Sequence, residues 1–328
     1  ELITFPGGDE ENFRADLCFG PNGQVLVTSG VKNTVKLWQI NGQAVKTLKS
    51  HKYEVWGLSC SQDGQKIVSV DLGGTVKLWS MDGQEIKSFQ ASPKALFGVS
   101  FSPNGQFIAT AGGDTRVKLW NLEGKEIRTI GKHNNYVIGV HFSPDGQTIA
   151  STSADATVKL WNLEGRELKT FKGHHTEVFA VSFSPDGQSI ATAGGDDTVR
   201  LWRLINQNHQ TLHGHTDSLW SVSISPNGKI VATAGDDRTI QLWNWQGKAL
   251  ATINAKSNEE WNRIWSLSFS PDGQAIAAAN DDKTIKLWNL QGQLLKTFNG
   301  HSKEVTDVSF SLDGQTLATA SYDDTIKL

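Results

Sequence analysis

The stretch ELKTFKGHHTEVFAVSFSPDGQSIATAGGDDTVRLW, residues 167–202, decides the fold. It holds four short runs separated by turn chemistry. Glu167 to Phe171 alternates and stops at Gly173-His174. Val178 to Phe183 is a mostly apolar run closed by Ser184-Pro185-Asp186-Gly187, where proline presets the turn and glycine supplies positive φ. Gln188 to Ala193 follows, then Gly194-Gly195-Asp196-Asp197, and Thr198 to Trp202 completes the set. Period-two patterning, β-branched residues and turns about every ten residues predict four antiparallel strands and no long helix.

The same unit recurs along the whole chain. A basic residue or Gln, then Leu-Trp, places Trp38, Trp79, Trp120, Trp161, Trp202, Trp243 and Trp288 at steps of 41, 41, 41, 41, 41 and 45 residues. An eighth copy, Thr325-Ile326-Lys327-Leu328, stops before its tryptophan. Self-similarity at this period is a fold-level signal that outranks local propensity. The proline-led turn returns at Pro21, Pro103, Pro144, Pro185, Pro226 and Pro271, and shrinks to Asp63-Gly64 and Asp313-Gly314 in units two and eight.

The motif order Gly-His, Ser-Pro-Asp-Gly, Ser/Thr, Asp, Leu-Trp resembles the WD40-repeat β-propellers over essentially the full length. The close match between units is similar to the bacterial, multi-repeat type. The residue after each tryptophan departs from the family's Asp: Gln39, Ser80, Asn121, Asn162, Arg203, Asn244 and Asn289. The resemblance implies an all-β fold, a single closed propeller of four-stranded antiparallel blades spanning residues 1–328. Eight sets of strands predict eight blades, the alternative being seven blades plus one displaced repeat. Strand 1–5 matches an outermost strand and would complete the last blade at 301–328. A chain that starts within a repeat and ends mid-strand reads as one ring of a longer polypeptide.

The resemblance also implies a buried hydrogen-bond chain in each blade. The matching residues are His133, Ser151, Asp155 and Trp161 in unit four; His174, Thr192, Asp196 and Trp202 in unit five; and His215, Thr233, Asp237 and Trp243 in unit six. Unit eight supplies His301, Thr319 and Asp323. An indole donates only, a hydroxyl relays, and a neutral imidazole bridges to the carboxylate. Unit seven has no histidine and carries Ala278 for the hydroxyl; unit three has no histidine; units one and two show Lys32 and Gly73 where the acid should stand. These four blades are expected to be softer.

Composition narrows the function classes. The 328 residues carry 31 basic and 34 acidic side chains, a formal net charge of −3. That balance speaks against a general binder of nucleic acid or anionic membrane, which needs a concentrated positive field. No window approaches the roughly 20 apolar residues of a membrane-spanning helix. A soluble cytoplasmic protein is expected. Two cysteines cannot form a disulfide framework or a four-cysteine zinc site; Cys18 and Cys60, at inequivalent positions of adjacent blades, read as small buried hydrophobes. His209, His213 and His215 are too far apart in a strand to share an ion, and the paired aspartates lie in turns, so no metal and no cofactor are expected.

Five tryptophans fall outside the period. Trp245 replaces a leucine or methionine and reads as packing. The residue entering each first strand runs Ala15, Trp56, Phe97, Ile138, Phe179, Trp220, Trp265, Thr306, and in WD40 folds this position opens onto the top face. Two residues earlier lie Glu54, Ala95, Tyr136, Glu177, Ser218, Arg263 and Glu304, a mildly acidic rim, and an insertion in unit seven adds Trp261. These aromatics read either as a plug or as a recognition surface favouring a cationic group through cation–π contact. The expected function is therefore a non-enzymatic scaffold or recognition module for a protein, peptide or small ligand, monomeric, within a larger bacterial signalling or effector polypeptide. No catalytic residue is assigned. A spacer ring without a pocket, or a channel-based enzyme, is the alternative.

Overall fold

The computed structural model describes residues 4–6, 17–20, 23–30, 33–39, 44–49, 51–204, 209–255, 263–323 and 325–328. Among them lie thirty-two strands sorted into eight four-stranded antiparallel sheets, so the blades number eight, not seven. In seven blades the four strands are consecutive in sequence. Blade four shows the plan, with strands Val137–Phe142, Thr148–Ser153, Thr157–Asn162 and Glu167–Lys172. Blade eight takes its fourth strand from Thr4–Pro6, which pairs with Thr325–Lys327 as the repeat phase predicts. Among the described residues no helix is long and apolar enough to cross a membrane.

The chain divides into two compact units, residues 5–173 and residues 1–4 with 174–328. Within each, the core lies between neighbouring blades. Ala109, Ala111, Val117, Leu119 and Ile130 of blade three pack against Val137, Val140, Phe142, Ile149 and Trp161 of blade four. The second unit repeats this, with Ile240, Leu242 and Ile253 of blade six against Ile264, Leu267, Ile276 and Trp288 of blade seven. Trp79, Trp120, Trp161, Trp243 and Trp288 thus fill the seam with the preceding blade, which is why the spacing is kept so strictly.

The turn between second and third strands needs a left-handed residue just before its threonine or arginine. Glycine supplies it only in blade two, Gly74 at φ 84°. Elsewhere Asn33, Thr115, Ala156, Asp197, Arg238 and Lys283 hold φ between 60° and 67°. A β-branched residue is the worst fit there. Thr115→Gly should therefore raise stability by about 1 kcal/mol in chemical denaturation; an unchanged or lower midpoint would contradict the strain.

The cysteine reading is corrected. Cys18 and Cys60 form a disulfide, with Cα atoms 6.0 Å apart and a sequence separation of 42. The reason is that inequivalent positions of adjacent blades are the ones that meet. Elsewhere the same seam is crossed by a serine at the same 42-residue offset: Ser59, Ser100 and Ser268 each accept from the backbone N–H of Phe101, Phe142 and Phe310. The covalent bond stands where three other seams use a long hydrogen bond.

Candidate functional site

The buried chains form as expected. Trp161 Nε1 donates to Ser151 Oγ at 2.8 Å, His133 Nε2 meets the same hydroxyl at 2.8 Å, and His133 Nδ1 lies 3.1 Å from Asp155. Blades five and six repeat it: Trp202–Thr192 at 3.0 Å and His174–Asp196 at 2.9 Å, then Trp243–Thr233 at 2.9 Å and His215–Asp237 at 2.8 Å. In blade eight His301 joins Thr319 and Asp323, both at 2.9 Å. These histidines are committed to structure.

Blade two is not defective. His51 meets Ser69 at 2.6 Å and Asp71 at 2.9 Å, and Trp79 donates to Ser69 at 3.0 Å. The acid has moved two residues back, into the end of the second strand, and Asp71 also accepts from Thr75 N, the bond that Asp155 takes from Thr157. Lys32 of blade one lies outside the described residues.

Blades three and seven, without histidine, use lysine instead. Lys118 Nζ sits 3.3 Å from Asp114 and donates to Ala91 O at 2.7 Å. Lys286 pairs with Asp282 and donates to Ala255 O. In blades two and four, where the histidine is present, the lysine at the same position reaches an exposed glutamate instead: Lys77 to Glu85 and Lys159 to Glu167. The ammonium fills the place the imidazole leaves, which removes the ground for calling these two blades soft.

The chains carry a pH signature. Burial holds the His133 and His174 imidazoles below their usual value. Burial alone would raise Asp155 and Asp196, but the hydrogen bonds they accept outweigh it and hold both below the carboxylate range. As pH falls, the unfolded chain takes up histidine protons first, at about pH 6.5, and stability is lost from there toward the lower folded value. The depressed carboxylates add a further loss below about pH 4. The denaturation midpoint should fall between pH 7 and pH 5; a midpoint flat over that interval would contradict buried neutral imidazoles.

The aromatic position has a structural cause absent from the strand pattern. In blades two to eight the first strand slips register across it, so that Trp56, Phe97, Ile138, Phe179, Trp220, Trp265 and Thr306 are bulge residues. A bulge re-aims the side chain that it frees from the ladder. In residues 5–173, Trp56 meets Phe97 edge-on at 6.1 Å and Phe97 meets Tyr136 at 5.8 Å. In the other unit Phe179 stacks on Trp220 at 4.5 Å, Trp220 lies 5.6 Å from Trp265, and Trp265 meets Tyr322 edge-on at 6.2 Å. None of these seven rings is buried, whereas Thr306 is. Ala15 and Trp261 lie outside the described residues.

Two of the indoles have carboxylate partners. Trp220 Nε1 donates to Asp236 at 2.7 Å and Trp265 Nε1 to Asp281, so the first members of these paired aspartates hold indoles rather than standing free in solvent. Phe179 has no N–H, and its counterpart is Gly195, where an added Cβ would come within 3.2 Å of the ring. Arg263 lies over Trp265 at 5.0 Å and bridges Asp281 at 3.1 Å and Asp236 at 3.5 Å. Burial pushes the Asp281 carboxyl up despite those bonds, and it pushes Glu54 up as well. Glu177 and Glu304 are half-buried.

Residues 14–262 match the family model described as the IFT122 first beta-propeller, and residues 247–289 and 292–328 each match the WD domain, G-beta repeat. The chain belongs to the WD40-repeat β-propeller family. No curated protein matches it. The WD40 pattern accounts for the chains but not for Asp71, Lys118 or Lys286, which a search by fixed phase passes over. Asp71 was within reach of the sequence, being the acid nearest the empty position. Among the described residues no three histidine, cysteine or acidic side chains gather to hold a metal.

Proposed function

We propose that the protein is a non-enzymatic recognition module whose half-exposed aromatic arcs bind a protein or peptide partner through a cationic side chain. WD40 propellers commonly serve as protein-interaction scaffolds and are typically not enzymes. The observation that carries this reading is the continuity of the rings. They pack on one another, are pinned by Asp236 and Asp281, and still face outward. Fixed aromatics lose little freedom on binding and dominate interface energy.

The cationic preference rests on Arg263 and Glu54. Arg263 already places a guanidinium over Trp265 between two carboxylates. Glu54, desolvated and two residues before Trp56, offers a partner's arginine or lysine a similar environment. The close match between repeats supports a place in a larger bacterial signalling or effector polypeptide, and the slight negative charge supports neither nucleic acid nor membrane as partner.

The test is selection of random displayed peptides on the whole chain. Enrichment of Arg or Lys beside apolar residues, lost on Glu54→Gln with Trp56→Ala, is the expected result. Enrichment of acidic peptides, or retention by that variant, would overturn the reading.

A further inference from the structure

At the far end of the strand that begins beside Phe179, blades five and six enclose a cleft of about 310 Å³. Ser184, Asp186, Gln188, Ser189 and Arg203 line it from blade five, and Gly228, Trp245 and Gln246 from blade six. Two independent departures from the repeat converge there.

The first is Arg203. In blades three, four, six and seven the residue after the periodic tryptophan is an asparagine whose Oδ1 accepts a backbone N–H of the turn: Asn121 from Lys125, Asn162 from Arg166, Asn244 from Lys248, Asn289 from Gln293. Blade two uses Ser80 Oγ for Gln84 N. A guanidinium has no acceptor and cannot do this. Blade five also lacks the bulge that blade four has here: Leu201 and Trp202 pair in register with Gln210 and His209, whereas the register slips between Leu160 and Trp161. The arginine therefore does not serve the turn, and it lines the cleft.

The second is Trp245, where other blades have Met81, Leu122, Leu163 or Leu290. Sequence reading takes it as packing, and part of it does join the seam between blades five and six. Its Nε1 also donates to Gly228 O at 2.6 Å, which fixes the ring as a wall of the cleft. Asp186, by contrast, belongs to the repeat. It accepts from Ser184 Oγ and Gln188 N, just as Asp145, Asp272 and Asp313 accept in their own turns. What distinguishes this cleft is one added positive fork and one added flat face.

We propose that the cleft is a binding site for a single flat ring bearing an anion, of the aryl phosphate or aryl carboxylate class. Trp245 stacks on the ring, Arg203 pairs with the anion in bidentate fashion, and the Gln188 and Gln246 amides lie at its edge. The volume is at the small end of ligand pockets, which suits one ring rather than a nucleotide.

The test follows the Trp245 indole N–H by ¹⁵N NMR on the full chain, assigned with Trp245→Phe. Phenyl phosphate is titrated beside inorganic phosphate, benzylamine and a phosphotyrosine peptide. A saturable shift with phenyl phosphate, weakened at least tenfold by Arg203→Gln at unchanged melting temperature, supports the site. Tighter binding of the peptide than of phenyl phosphate would identify a protein side chain as the natural source of the ring, and the reverse order a free small molecule. No shift, an equal response to benzylamine, or a shift that survives Arg203→Gln would overturn it.

Discussion

Lys118→Met should destabilise the protein by about 2–4 kcal/mol, whereas Lys159→Met, at the same strand position one blade on, should cost under about 1 kcal/mol. The two lysines both lie over their blade's tryptophan and differ in the partners that they reach. Lys118 and Asp114 are both 11% exposed, and removing the ammonium leaves a carboxylate and the Ala91 carbonyl buried without their partner. Lys159 meets Glu167, whose side chain is 40% exposed, so water replaces the lysine. The explanation also predicts a rescue. Ser92 occupies the histidine position of blade three, 28 residues before Trp120. Adding Ser92→His to Lys118→Met should rebuild the chain with Thr110 and Asp114 and recover most of the loss in urea denaturation. Equal losses for the two lysines, or no recovery in the double variant, would show that the ammonium does not stand in for the imidazole.

Opening the Cys18–Cys60 bond should cost a comparable amount. A loop closed across 42 residues limits the unfolded chain by about 4 kcal/mol in the loop-entropy account, and measured losses commonly run 2–4 kcal/mol. The loss should be smallest for Cys18→Ser, because position 18 is the counterpart of Ser59, and a hydroxyl there can accept the backbone N–H of residue 60. Cys60→Ala offers no such replacement and should lose the full amount. Non-reducing denaturation of both variants against the parent checks this, with dithiothreitol treatment of the parent expected to match Cys60→Ala. A parent indifferent to reductant would mean that the bond contributes nothing to stability.

Much of this was legible. The 41-residue step fixed the blade count, and the fixed phase of histidine, hydroxyl and acid located the chains of blades four, five, six and eight, three of them closed by a tryptophan 28 residues after the histidine. What fixed phase could not reveal was compensation. Asp71 lies two residues off the consensus and Lys118 on a different strand from the missing imidazole; both act because the side chains converge in space on one vacancy. The disulfide escaped for a similar reason, since comparing equivalent positions hides that neighbouring blades meet at inequivalent ones. The bulge did leave a trace. Buried residues of the first strand are three apart, as in Val178 and Val181 or Ile264 and Leu267, where a regular strand would space them by two. That slip is what turns Phe179 and Trp220 outward, and it separates a surface aromatic from a core one.

The central claim is that those rings recognise a partner and do not merely fill space. The decisive measurement pairs affinity for a selected cationic peptide with melting temperature in Trp56→Ala/Phe97→Ala. The account predicts at least a tenfold loss of affinity with a melting point lowered by only a few degrees, because half-exposed rings contribute less than the 3–5 kcal/mol of a fully buried aromatic. Undiminished affinity, or collapse of the fold, would contradict it.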